Sequence, residues 1–132
     1  MVTTTLIDTF LDTKEKKIAF FQNLVLVAMA DRYIDEAESD FLLTIGEQLN
    51  LSEEDTLPIT DNLDSLSFNI PEDGMQKILE LQTLVMMVLQ DGEVEEREYN
   101  LCLEYTHQIG YSKETLDRLI SKLANEHSQA AI

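Results

Sequence analysis

An acidic motif that occurs twice carries the residues best suited to chemistry. The first copy places Asp31 and Glu38 seven residues apart, and the second places Asp91 and Glu98 at the same spacing. Each copy follows an apolar helical pattern and precedes an amphipathic one, so a turn between helices would bring each pair of carboxylates together. Oxygen-only ligands of this kind suit a hard divalent cation, Ca²⁺ or Mg²⁺. The spacing therefore predicts two metal sites, with ligands Asp31, Glu38, Asp91 and Glu98.

The same four carboxylates also have a purely structural explanation. Asp31 and Asp91 stand where the preceding helix is expected to end, and an Asp there can accept backbone N–H groups two or three residues further on. Glu38 and Glu98 stand at the third position of the following helix, where a capping box places a Glu. At the level of the sequence, cation sites and caps both remain open.

Other patterns for catalysis or metal binding are weak. Neither His107 nor His127 has Cys or His neighbours at zinc spacing, and the sequence contains no Gly-rich phosphate loop and no nucleophile motif. Cys102 corresponds to the apolar Leu42 in the repeat described below, so we expect a buried structural thiol. A single cysteine can form no internal disulfide, which favours a reducing compartment. We predict no catalytic residues and no enzyme.

The elements that would position the acidic motif are all helical. Apolar spacing and capping residues predict helices over about 5–11, 14–31, 36–49, 53–63, 71–90, 95–109 and 113–124. Pro58 predicts a kink or a split in the fourth of these helices, and Pro71 is expected to be the first residue of the fifth. Met86 and Met87 are assigned to the core. Residues 64–70 form a linker that brings Phe68 and Ile70 to that core.

The two copies of the motif belong to a longer internal repeat. A shift of sixty residues places 24–55 over 84–115 without a gap, and nine of the 32 pairs are identical. Such a register predicts a duplicated helical unit. We expect a single all-α domain over 1–132, a compact bundle of about seven helices with pseudo-twofold symmetry. Repeat one covers about 14–64, repeat two about 71–124, and 125–132 form a tail.

Composition limits the range of partners. Nine basic and 26 acidic residues give a net charge of −17, which disfavours binding to nucleic acid and to anionic membranes. The charge favours divalent cations or a basic partner surface, although solubility alone explains it equally well. The apolar runs Leu24–Ala30 and Leu84–Leu89 are too short to cross a bilayer, and residues 1–17 lack the pattern of a signal peptide. We expect a cytoplasmic protein without direct membrane insertion.

The doubled motif resembles that of the TerB family of tellurite-resistance proteins. The second copy reads Asp-Gly-x-Val-x-x-x-Glu over 91–98, and the first reads Ala-Asp-x-x-Ile-Asp-x-x-Glu over 30–38. The linker Phe68-x-Ile70-Pro71 fits the family as well, and the likeness covers about 14–124. The sequence departs from the family at Arg32, where the family usually has Gly.

The resemblance implies an all-helical cytoplasmic domain of about seven helices that works through protein contacts. By position, the candidate metal ligands are again Asp31, Glu38, Asp91 and Glu98. The function implied is a non-enzymatic interaction module, associated with stress or tellurite resistance, that binds a divalent cation at its acidic turns. Its partner would be a protein with a basic or helical surface, and a homo-oligomer is compatible with the pattern. The alternatives are a dedicated divalent-metal sensor and, less favoured, a small hydrolase using paired carboxylates.

Overall fold

Six α-helices make up the part of the chain that the computed structural model describes, which is residues 11–30, 36–90 and 94–130, with side chains as far as 125. They are α1 (Lys14–Ala28), α2 (Glu36–Gln48), α3 (Glu53–Thr60), α4 (Gly74–Val88), α5 (Glu96–Gln108) and α6 (Lys113–Ala130). A 3₁₀ turn, Leu63–Ser65, lies between α3 and α4. These residues contain no strand, so the all-α prediction is confirmed. The helix predicted over about 5–11 falls almost entirely outside the described residues.

The apolar core is built around α1 and α4. α1 packs against α2, α3, α4 and α5, while α4 also packs against α2, α5 and α6. Phe20, Leu24 and Val27 on α1, like Leu84 and Met87 on α4, are at most 1% exposed. Both helices carry apolar residues on most of their circumference, and such a helix is stable only when neighbours cover it from several directions. Among the helices described, none is both long and apolar enough to cross a lipid bilayer.

Capping groups set several helix boundaries where the sequence predicts them. The Thr13 hydroxyl accepts the backbone N–H of the third residue of α1, and the Asp55 carboxylate accepts the backbone N–H of Ser52 before α3. After α2 and α5, Asn50 has φ 57° and Gly110 has φ 92°. This left-handed conformation lets the last carbonyls of a helix find donors, and Gly and Asn adopt it most readily.

The start of α4 differs from the prediction. The helix begins at Gly74 and not at Pro71. Asp73 is in an extended conformation, and its Oδ1 accepts the backbone N–H of Gln76 at 2.9 Å. This side-chain cap fixes the first turn three residues later than the proline alone suggests.

Other helices differ in their ends. α1 ends at Ala28, where the sequence predicts Asp31, and α3 ends at Thr60, where the sequence predicts residue 63. α6 continues to Ala130, so residues 125–130 are helical and are not part of a tail as the sequence predicts. α3 runs through Pro58 as one helix of eight residues. Of the two methionines assigned to the core, Met87 is fully buried as expected, whereas Met86 is 36% exposed.

The helix starts recur at a constant spacing. α1, α2 and α3 begin at residues 14, 36 and 53, whereas α4, α5 and α6 begin at 74, 96 and 113, sixty residues later in each case. The last helices of the two halves differ in length, since α3 has eight residues and α6 has 18. The pseudo-twofold arrangement of the halves stays a prediction.

Candidate functional site

The two acidic turns lie only partly within the described residues. Asp31 and Asp91 fall outside them, whereas Glu38 and Glu98 lie in the first turns of α2 and α5. Glu38 is 3% exposed and Glu98 is 4% exposed. Because carboxylates are rarely buried unless other groups compensate them, this shared burial is the main structural feature of the motif.

Glu98 has the capping role that the sequence allows. Its Oε1 accepts the backbone N–H of Glu95 at 3.3 Å, and a negative charge in the first turn of a helix is favoured by the helix dipole. Glu38 and Glu98 both make further interactions, so neither is a free carboxylate. The structural explanation therefore accounts for at least part of the burial.

The predicted cation sites stay predictions. Within the described ranges, no group of three or more His, Cys, Asp or Glu side chains is placed to hold a metal ion. The predicted ligand sets pair Glu38 with Asp31 and Glu98 with Asp91, so one member of each pair lies outside those ranges. His107 is exposed on α5, as expected for a helix surface residue.

The thiol of Cys102 is buried, as predicted, and is 1% exposed. Burial raises its pKa to about 12, and the negative charge of Glu98 contributes in the same direction. The group is therefore a protonated thiol at neutral pH, which excludes it as an activated nucleophile.

A buried carboxyl outside the acidic motif is the clearest chemical feature that the structure adds. Glu80 lies in the middle of α4 and is 2% exposed. Its Oε1 accepts a hydrogen bond from Asn23 Nδ2 at 2.9 Å, and its Oε2 accepts one from Gln76 Nε2 at 2.9 Å. The buried hydroxyl of Tyr105 interacts with the same carboxyl, although its geometry is outside that of a well-formed hydrogen bond. Four side chains from three helices therefore form one buried polar cluster.

Burial has a large effect on the acidity of Glu80. Loss of solvation raises its pKa from 4.5 to about 7, and the hydrogen bonds from Gln76 and Asn23, together with the nearby hydroxyl of Tyr105, reduce this rise. The basic residue nearby, Lys16, is paired with Asp12 at 2.9 Å. Glu80 is therefore a carboxyl that changes its charge near neutral pH.

A cavity of about 380 Å³ lies beside Glu80. Lys16 and Ala19 of α1 line one side of it, residues 69–73 line another, and Gln76 and Glu80 of α4 complete it. Several of the lining residues are exposed to solvent, so the cavity opens at the surface. It is large enough to hold several water molecules, but Glu80 is only 2% exposed, so its carboxyl is shielded from them.

The segment that borders this cavity is held by side chains of α1. We call residues 66–73, which join the 3₁₀ turn to α4, the crossing segment. Asn23 Nδ2 donates to the carbonyl oxygen of Asn69 at 2.9 Å, and Asn23 Oδ1 accepts the backbone N–H of Asn69 at 2.9 Å. Gln22 Nε2 donates to the carbonyl oxygen of Ser67 at 3.1 Å. Asn23 therefore joins the crossing segment to Glu80.

The sequence did not predict the Glu80 cluster, because apolar spacing and capping residues do not reveal which polar residues are buried. A signal was present in α4, where Gln76, Glu80 and Thr83 share one face with the buried Met87. Nine of the 15 residues of α4 are buried, so only a narrow side of the helix faces solvent. A polar residue inside such a helix must find partners within the protein.

Known proteins supply no match to this chain: no family model, no curated protein and no solved structure matches it. The resemblance to the TerB family consequently stays a hypothesis that rests on the residues of the acidic motif.

Proposed function

We propose that this chain is a non-enzymatic, TerB-like interaction module whose two acidic turns bind a divalent cation, Ca²⁺ or Mg²⁺. The observation that carries the proposal is the matched burial of Glu38 and Glu98, each less than 5% exposed at the third position of its helix. Each follows an Asp by seven residues, so Asp31 and Asp91 would supply further oxygen ligands. Capping and cation binding are compatible, because a carboxylate oxygen can accept more than one interaction.

The constant spacing of the helix starts supports two equivalent turns. We infer that 14–64 and 71–124 are copies of one helical unit and that they are related by a pseudo-twofold axis. Equal offsets of sixty residues for three pairs of helices, together with nine identical residue pairs, support this inference. Two turns of the same design would then bind the same class of ion.

The partner in this proposal is a protein with a basic or helical surface. The net charge of −17 supports a basic surface, because such a surface would be attracted at long range. Cation binding at the turns would reduce the negative charge locally and so modulate the docking. Association with stress or tellurite resistance, and a cytoplasmic location, follow from the TerB resemblance.

The experiment that tests the proposal is thermal unfolding of metal-stripped protein with and without millimolar Ca²⁺ or Mg²⁺. Specific binding to the native state must raise the Tm, by an amount that corresponds to about 2.7 kcal/mol at one hundred times Kd. Glu98→Gln should remove much of this rise, and Asp91→Asn should do the same. Glu96→Gln is the matched control, since it removes one charge from an exposed residue of the same helical turn.

Two outcomes contradict the proposal. Equal rises in the wild type, Glu98→Gln and Glu96→Gln would show that the ions act by general charge screening. No rise in any of them, with Glu98→Gln less stable than Glu96→Gln, would show that Glu98 is only a cap. The pair Glu38→Gln and Glu36→Gln applies the same comparison to the first turn.

A further inference from the structure

The side-chain amide of Asn23 connects Glu80 to the crossing segment, and both hydrogens and the oxygen of this amide make hydrogen bonds. Its Nδ2 has two hydrogens, and one goes to the carbonyl oxygen of Asn69 and the other to Glu80 Oε1. Its Oδ1 accepts the N–H of Asn69. Because Asn23 is 1% exposed, water cannot replace these partners while the segment stays in place. A change at Glu80 therefore acts directly on the group that holds the crossing segment.

Among the residues that line the cavity beside Glu80, those of the crossing segment are not helical, whereas the others belong to α1 and α4. Within the crossing segment, Ser67, Asn69 and Glu72 are exposed. Phe68 and Ile70 are only partly buried, with the ring of Phe68 set edge-on against Tyr105 at 5.3 Å between centroids. Irregular segments with few buried contacts open at a lower free energy than core helices. Opening of this segment is therefore the least costly way to expose Glu80 to water.

Within the part of the chain that the structure describes, the cavity beside Glu80 offers no unpaired positive charge to an ionised carboxyl. From α1, Lys16 lines the cavity but is paired with Asp12. From the crossing segment, Glu72 and Asp73 add negative charge, and from α5 the neutral hydroxyl of Tyr105 approaches. Water is the remaining source of solvation, and the cavity beside Glu80 is where that water would enter.

We propose that the crossing segment is a proton-controlled cover over Glu80, closed when the carboxyl is protonated and increasingly open as the carboxyl ionises. Opening breaks the two hydrogen bonds between Asn23 and Asn69 and admits water through the adjoining cavity. The direction follows from linkage, because Glu80 releases its proton more readily when hydrated than when covered. A rise in pH must therefore shift the equilibrium toward the open state.

The test is amide hydrogen exchange by NMR on the full chain between pH 5.5 and 8.5, with protection factors corrected for intrinsic exchange. The reporter is the backbone N–H of Asn69. With a pKa of 4.5 when hydrated and about 7 when covered, its protection should fall roughly thirtyfold over this range. The fall in Asn69 protection should level off near pH 7, where the side-chain carboxyl carbon of Glu80 titrates in the covered state.

Opening of the cover must be distinguished from unfolding of the whole domain, which also exposes Glu80. In low urea, exchange at Asn69 should depend only weakly on denaturant, whereas the amides of Val25 and Val85 in the core should depend on it strongly. Glu80→Gln should remove the pH dependence at Asn69. Glu72→Gln, a neutralised neighbour on the exposed rim of the cavity, should retain it.

Either of two results would overturn the proposal. The first is an Asn69 protection factor that does not change with pH while the Glu80 carboxyl titrates. The second is an Asn69 protection factor that follows those of Val25 and Val85 in both pH and urea, which would mean that only global unfolding exposes Glu80. Both results can be obtained with the wild-type chain, so the test does not depend on the folding of a variant.

Discussion

Replacing Glu80 with Gln should change how the stability of the protein depends on pH. The substitution keeps the shape of the side chain and an acceptor for Asn23, and the Gln76 amide can rotate to accept from the new NH₂ group. It removes the ionisation. The wild type should lose stability relative to the variant as pH rises, because its native state holds the proton of Glu80 more tightly than its unfolded state does.

The magnitude follows from the two pKa values of Glu80. The unfolded chain releases this proton near pH 4.5 and the folded chain near pH 7, so the loss of stability begins near pH 4.5 and is complete above about pH 7. At about 1.4 kcal/mol per pH unit, the full difference is about 3 kcal/mol. Between pH 5 and pH 8, the free energy of unfolding of the wild type should fall by roughly 2.5 kcal/mol more than that of Glu80→Gln.

Urea unfolding followed by circular dichroism at several pH values between 5 and 8 measures this difference. Net negative charge also lowers stability as pH rises, but it does so almost equally in both proteins and cancels in the comparison. Glu72→Gln, which removes an exposed charge at the same cavity, should give a curve parallel to the wild type. Parallel curves for the wild type and Glu80→Gln would refute the argument that burial raises the pKa of this carboxyl.

Two further predictions concern other buried groups. Asn23→Ala should lower the free energy of unfolding by roughly 2 to 4 kcal/mol in urea unfolding, because it leaves Glu80 and the backbone of Asn69 without their partners. Gln22→Ala, which removes one exposed bond to the crossing segment, should lower it by less than about 1 kcal/mol, and equal losses would contradict the role given to Asn23. At pH 8 the thiol of Cys102 should react with a disulfide reagent on the order of a thousandfold more slowly in the native protein than in urea. The reason is that a pKa of about 12 instead of 9 leaves little thiolate. Equal rates in the native and unfolded protein would show that the thiol is accessible to the reagent.

Much of the helical framework could be predicted from the sequence because its signals are local. Apolar spacing predicted the burial of Leu24 and Val85 on the central helices, which the structure confirms. Ser52, Asn50 and Gly110 mark helix ends by their own backbone and side-chain preferences. The predicted start of α4 was wrong by three residues. The helix begins after Asp73 because the Asp73 carboxylate accepts the backbone N–H of Gln76, a bond that the position of Pro71 alone does not reveal.

The acidic motif shows what a pattern can and cannot decide about a site. The sequence predicted Glu38 and Glu98 as equivalent residues in the first turns of two helices, and the structure places both in those turns. Their burial was not predicted, because it depends on the surfaces that cover them. The cation sites remain the proposal that the unfolding experiments test.

The sequence by itself determined that the described chain is helical, where most of its helices begin, and that the thiol of Cys102 is buried. Only the tertiary structure decided which polar side chains are buried and which partners they bind. Asn23 and Glu80 lie 57 residues apart in the chain, yet Asn23 Nδ2 donates a hydrogen bond of 2.9 Å to Glu80 Oε1. The patterns of the two separate helices do not predict this contact. Apolar residues are buried by their own hydrophobicity, so spacing along one helix reveals them. A polar residue is buried only when another part of the chain supplies its partners, and that is settled when the helices pack.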